Sequence, residues 1–114
     1  YKKYRSLGEY EISRVLTARD ISYTTEETFG GICKNPKTNG ILRFDFYLRD
    51  YNLVIEFHGE QHYKENNWLN NESLEVSQYR DKKKEEFLYK NNIDLLIIKY
   101  NEKDKIEGIL DGVL

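Results

Sequence analysis

The stretch "ILRFDFYLRDYNLVIEFH", Ile41 to His58, decides the fold. Its first half alternates. Leu42, Phe44, Phe46 and Leu48 fall on one side, and Ile41, Arg43, Asp45 and Tyr47 on the other, which is the period of a half-buried strand. "RDYN" is turn-like, and "LVIEFH" supplies a second strand. Folding the two back between Asp50 and Tyr51 pairs residues whose numbers add to 101. Leu48 then faces Leu53, Phe46 faces Ile55 and Phe44 faces Phe57, all apolar and on one face. A slip of one residue would scatter them, so this register is strongly specified.

The same register sets Tyr47 opposite Val54, Asp45 opposite Glu56 and Arg43 opposite His58. Two carboxylates on directly opposed positions have Cβ atoms about 4.5–5.5 Å apart and destabilise the pair by roughly 0.2–1 kcal/mol. Partial burial raises that cost. A chain that only had to fold gains nothing from the arrangement. A hard divalent cation such as Mg²⁺ removes the penalty, because it takes oxygen ligands and needs only one or two protein carboxylates. The structural alternative is that Arg43 and nearby lysines neutralise a solvated face.

Both histidines of the chain adjoin this acidic pair. His58 lies two residues after Glu56, on the same strand face, and His62 follows the glycine turn at Gly59. Histidine moves protons near neutral pH. The H-x-x-x-H spacing also suits zinc on a helix, but a glycine directly after a strand argues against helical geometry here. Gln61, Tyr63 and Trp68 belong to the polar stretch "GEQHYKENNWLNN", where Gln61 reads either as turn surface or as a substrate contact and the two aromatics read as packing first and as stacking surfaces second.

Outward from the hairpin, "SLGE" (Ser6 to Glu9) has the form of a capping box, and Ile12, Val15 and Leu16 follow helical spacing, so a helix is expected over about 6–20. "ISYTTEETF" over 21–29 reads as a strand and "GGICKNPKTNG" as a loop. A helix fits about 72–90, with Leu74, Gln78, Asp81, Glu85 and Leu88 near one face. "NNIDLLIIKY" reads as a turn and a largely buried strand, and about 103–112 as a short helix. The order α-β-β-β-α-β-α gives an α/β domain with a small mixed sheet flanked by helices.

With 114 residues, 39% of them hydrophobic, the chain suits one domain with a modest core. No apolar run approaches the roughly 18–20 residues of a membrane span, and no signal-peptide pattern is present. The absence of methionine suggests a processed chain or a domain cut from a longer protein. A single cysteine, Cys33, cannot form an internal disulfide; it reads as an incidental loop thiol, and an intracellular setting is expected. A net charge of −2 excludes a strongly basic DNA-coating module, although "YRDKKKEEF" and "ICKNPKTNGILR" are locally basic.

Taken together, "RFDFYL", "LVIEFHGEQHY", a glutamate on a preceding helix and "RD" opening a basic helical segment (Arg80-Asp81) resemble the PD-(D/E)XK nuclease superfamily. Within it, the likeness is to the very-short-patch-repair endonucleases and the related phage homing endonucleases, over about residues 6–100. The resemblance implies a restriction-endonuclease-like core, double-stranded DNA as partner, and Mg²⁺ as cofactor with Mn²⁺ as a substitute. It implies cleavage leaving a 5′-phosphate, and a bacterial or phage-infected cytoplasm. It also implies a separate DNA-binding region in the parent protein, which could also carry a homodimer or multimer. Asp45 matches the metal-binding aspartate, with Glu56 or the Phe57 carbonyl as its fellow ligand. Glu9, His58, His62 and Asp81 match the remaining catalytic set, and Arg43, Gln61, Lys82 and Lys84 are the candidate substrate contacts. The lysine usual after E-x is replaced by His58. The zinc-type cysteine cluster of the repair enzymes is missing, which favours the homing type. The other readings are a mismatch-nicking repair enzyme, a nucleic-acid-binding domain that has lost turnover, and a structural interaction domain. For single residues the bland readings are Glu9 as a cap partner, Asp81 on a solvated helix face and Lys82–Lys84 as solubilising charge.

Overall fold

The computed structural model describes residues 6–59 and 74–114. The elements are α1 (Leu7–Ala18), β1 (Thr24–Glu27), β2 (Phe44–Leu48), β3 (Leu53–His58), α2 (Leu74–Lys90), β4 (Asp94–Lys99) and α3 (Ile106–Asp111). The strands form one mixed sheet in the order β1-β2-β3-β4, with the first two pairings antiparallel and the last parallel. Parallel neighbours need a crossover, and α2 lies between β3 and β4 in the chain. No helix among the described residues is long and apolar enough to cross a membrane.

The hairpin register is the expected one. Phe46 pairs with Ile55, Tyr47 with Val54 and Leu48 with Leu53. A short 3₁₀ turn, Arg49–Tyr51, closes it, and Asn52 takes the left-handed conformation (φ 49°) that asparagine tolerates better than most residues. Asn52 also ties the hairpin to β4, since its carbonyl accepts the Asp94 N–H at 3.0 Å.

Two apolar layers cover the sheet. On one face Ile12, Val15 and Leu16 of α1 and Ile106 and Leu110 of α3 pack on Phe46, Leu48, Leu53, Ile55, Phe57 and Ile98. On the other, Leu88 of α2 packs with Cys33, Leu42, Phe44 and Val54. The expected single face for Leu42, Phe44, Phe46 and Leu48 is therefore wrong. Phe46 and Leu48 lie on the α1 side, and Leu42 and Phe44 on the α2 side. The pleat changes phase at Asp45, where the hairpin ladder also ends. Phe44 instead meets Phe29 and Phe87 at ring separations of 5.4 and 6.0 Å.

Three further expectations change. The first strand is four residues long and mostly exposed, because it edges the sheet. β4 is the opposite edge, so only Ile98 is fully buried in a strand expected to be largely buried. The inward side of α2 carries Ser77, Asp81, Lys84 and Leu88, while Gln78 and Glu85 are exposed. Cys33 is a loop thiol, as expected, and is anchored in the core. It is 3% exposed and packs as a small apolar residue, and burial pushes its thiol pKa up.

Candidate active site

The site grows from the end of the hairpin. Past Phe46 and Ile55 the strands exchange side chains instead of ladder bonds. The Asp45 N–H donates to Glu56 Oε2 at 2.8 Å, and the Phe57 N–H donates to Asp45 Oδ2 at 2.8 Å. Each carboxylate thus satisfies a buried backbone donor of the opposite strand, which would otherwise cost about 1–3 kcal/mol. The neighbouring pairing is broken at the same level. β1 pairs with β2 at Thr25–Phe46 and Glu27–Phe44 but skips Glu26–Asp45, and Glu26 has φ 52°.

Helix α2 supplies the counter-charge. Lys84 Nζ lies 2.7 Å from Glu56 Oε1, with its side chain 13% exposed. It also lies 5.0 Å from the centroid of Phe44, the ring turned to this face by the phase change. His58 Nε2 is 3.7 Å from Glu56 Oε1, too long for a hydrogen bond and within reach of an ion pair when the ring is protonated. One ligand atom each from Glu56, His58 and Asp81 falls within 4.8 Å of the others.

Helix α1 enters through a close contact. Ser6 caps it by accepting the Glu9 N–H at 3.1 Å. A Cβ at Gly8 would sit 2.2 Å from the Phe57 ring, so only glycine lets the first turn lie against the strand that carries Glu56. That places Glu9 on the wall of an open, polar cavity of about 520 Å³, together with Glu26, Arg43, Asp45, Glu56, Phe57, Arg80, Asp81 and Lys84.

The two facing carboxylates are not equivalent. Burial, then Glu56, then Glu9 raise the Asp45 carboxyl to about 7, against the pull of the Phe57 N–H and Lys84. Burial also pushes Glu56 up, but His58, Lys84 and the Asp45 N–H outweigh it and hold that carboxyl at about 2. Of the pair, Asp45 is the one that keeps a proton, because the cationic groups stand beside Glu56.

Glu9, Arg43, Asp45, Glu56, Asp81 and Lys84 therefore come together as sequence suggested. Lys82 does not: it lines a separate groove between α2 and β4. Arg43 and His58 do not face one another. Arg43 is exposed on the larger cavity, whereas His58 lies with Glu56 and Asp81 in a narrow space under α2. His62, Gln61, Tyr63 and Trp68 lie outside the described residues. Sequence reasoning passed over Arg80 and Glu26 as site residues. Arg80 was findable, since it precedes Lys84 by one helical turn. Glu26 gave no signal, being one acid in an exposed strand.

No family model matches the chain, and no solved structure matches it. It is similar to the uncharacterized protein 307L of Invertebrate iridescent virus 6, 36% identical over 78 residues, which cover 62% of this chain and 40% of the relative. It is also similar to the uncharacterized protein 033L of Invertebrate iridescent virus 3, 32% identical over 72 residues, covering 61% of this chain and 37% of the relative. The chain thus spans about two fifths of the length of these curated relatives.

Proposed function

We propose that this chain is the catalytic domain of a metal-dependent DNA endonuclease with a restriction-endonuclease-like core, of the homing type within the PD-(D/E)XK superfamily. One observation carries the reading. Asp45 and Glu56 meet where the hairpin splays, and a half-buried lysine, Lys84, reaches Glu56 from a different element at 2.7 Å. The lysine that the sequence lacks at the position of His58 is supplied in space by α2.

The donor set fits a hard cation. Asp45 and Glu56 offer carboxylate oxygens in a polar cavity, and burial, with the charges of Glu56 and Glu9 adding to it, raises Asp45 to about 7, a proton whose place a cation would take. Bound by these two residues, Mg²⁺ would polarise a phosphodiester oxygen and acidify a water molecule. The protein's own groups do the rest. Lys84 sets an ammonium where charge builds on the phosphate in the transition state. Arg43 and Arg80 hold the phosphate from the cavity rim. Glu9 orients water on the α1 side and raises the proton affinity of Asp45. His58 stands 3.7 Å from Glu56 Oε1 with Asp81 close by, and proton transfer to or from the reacting oxygens falls to one of the two histidines, His58 or His62.

The test is nicking of supercoiled plasmid in Mg²⁺ or in chelator. Cleavage is expected in Mg²⁺ alone and is expected to disappear with Asp45→Asn. Cleavage at the wild-type rate by that variant would overturn the assignment, and a wild-type chain that binds DNA but never cuts it would leave the non-catalytic domain as the reading.

A further inference from the structure

Beside the cavity, residues 32–43 fold as a short finger. The Asn35 N–H donates to the Gly40 carbonyl at 2.9 Å, Asn39 N–H to the Asn35 carbonyl at 2.7 Å, and Leu42 N–H to the Cys33 carbonyl at 2.8 Å. A lone β-bridge joins Lys34 and Ile41. Asn35 is buried, and its Oδ1 accepts the Lys37 N–H at 2.9 Å. Cys33 and Leu42 root the finger in the core, and its base enters the cavity wall at Ile41, Leu42 and Arg43.

The tip closes on α2. Lys37 Nζ lies 4.1 Å from the centroid of the Tyr79 ring, and Lys83 Nζ lies 5.4 Å from the same centroid. Tyr79 and Lys83 are one helical turn apart, as are Arg80 and Lys84 in the next row. Helix α2 therefore presents two adjacent rows. The inner one, Arg80 and Lys84, faces the cavity. The outer one, Tyr79 and Lys83, receives the finger.

We propose that Lys37 and Lys83, continuing outward from Arg43 and Arg80, form a track for the sugar-phosphate backbone of duplex nucleic acid, gripping phosphates beyond the one in the cavity. The proposal deepens the nuclease reading and takes the phosphate at Asp45 and Glu56 from it. Four observations carry it. In a chain of net charge −2, Arg43 and Arg80 line the cavity and Lys37 and Lys83 share the Tyr79 ring on the next row of α2. Lys37 pairs with no carboxylate among the described residues; Lys83 does pair, with Glu86 at 3.1 Å, so Lys37 is the stronger of the two contacts. The finger is ordered by its own hydrogen bonds before any ligand arrives, which lowers the entropy lost on binding. Finally, the Tyr79 ring already carries two ammonium groups. Single-strand grooves use open aromatic faces to stack bases; this ring positions cations instead, which suits a backbone whose bases are paired and hidden.

The test uses the full chain carrying Asp45→Asn to prevent cleavage, a random-sequence 30-base-pair DNA duplex, and a dT30 single strand. Log affinity is measured against log salt. Lys37→Ala and Lys83→Ala are each expected to weaken duplex binding and to reduce the salt slope by about 0.9, the release expected for one phosphate contact. Lys37→Arg is expected to restore the slope. On otherwise wild-type protein, Lys37→Ala is expected to raise KM for duplex cleavage and to leave hydrolysis of bis(p-nitrophenyl) phosphate unchanged. Circular dichroism checks that each variant is folded. Unchanged slopes, or equal losses on dT30, would overturn the proposal. Binding reads the track and cleavage reads the chemistry: reduced slopes in a protein that never cuts would sink the nuclease reading and leave the track standing.

Discussion

Replacing Asp45 by asparagine removes a buried charge while keeping the shape of the side chain. The amide oxygen of the Asp45→Asn variant can still accept the Phe57 N–H that Asp45 Oδ2 accepts at 2.8 Å. In the folded protein the Asp45 carboxyl is raised from 3.8 to about 7. Below pH 3.8 the group is neutral in both states and costs nothing. Between 3.8 and 7 the unfolded chain ionises it and the folded chain does not, so stability falls as pH rises. Above 7 the penalty is constant, at about 4 kcal/mol from about 1.4 kcal/mol per unit. The amide never carries it. Without divalent metal, the variant is expected to be more stable than wild type by about 4 kcal/mol at pH 8, by about 2 kcal/mol at pH 5, and by nothing measurable below pH 4. For a domain of this size each kcal/mol moves Tm by roughly 4–8 °C. Urea melts in chelator at the three pH values measure the gap. A variant no more stable than wild type at pH 8, or a gap that widens as pH falls, would mean that Asp45 carries no such penalty.

Mg²⁺ is expected to raise the Tm of wild type and not of Asp45→Asn, with the larger rise above pH 7, where Asp45 is already ionised and no proton has to leave as the ion binds; thermal melts at pH 6 and 8 check it. Lys84→Met strands the Glu56 carboxylate at 6% side-chain exposure and is expected to cost roughly 3–5 kcal/mol at pH 8. Lys84 is one cause of the lowered Glu56 pKa, so the loss should shrink as pH falls through 4.5 toward 2, and adding Glu56→Gln should recover much of it in urea melts. Gly8→Ala drives a methyl into the Phe57 ring at 2.2 Å and is expected to cost roughly 1–3 kcal/mol. It should also slow plasmid cleavage more than that loss accounts for at a temperature where the variant stays folded, because it moves Glu9 relative to Asp45.

The hairpin was legible because alternation and a turn signal agree on one register, and that register alone brought Asp45 and Glu56 together. The phase change at Asp45 was not, since strict alternation of letters looks the same whether or not the backbone follows it. What breaks the pleat is a carboxylate accepting the N–H of the facing strand, a contact between residues 12 apart. The reach of Lys84 was hidden for a related reason. The inward side of α2 is polar, so hydrophobic periodicity could not orient the helix, and "KKK" offered three equal candidates of which one faces the cavity. "DLLIIK" reads the same for a central strand and an edge strand, and only sheet order decides between them. The start of α1 was legible because the Ser6 cap fixes where the helix begins and so puts Glu9 in its first turn.

The neutralising lysine stands 28 residues beyond the glutamate it serves. The two acidic strands are joined by a turn of only a few residues, so they can meet within microseconds, whereas Lys84 comes into place only when α2 docks. An early hairpin would therefore hold its two carboxylates together without their counter-ion. At neutral pH this end of the hairpin is a frustrated contact during assembly. The acid pair is expected to act as a brake on refolding, one that mild acid releases. The same two residues that give the finished protein its chemistry set the pace at which the chain reaches it.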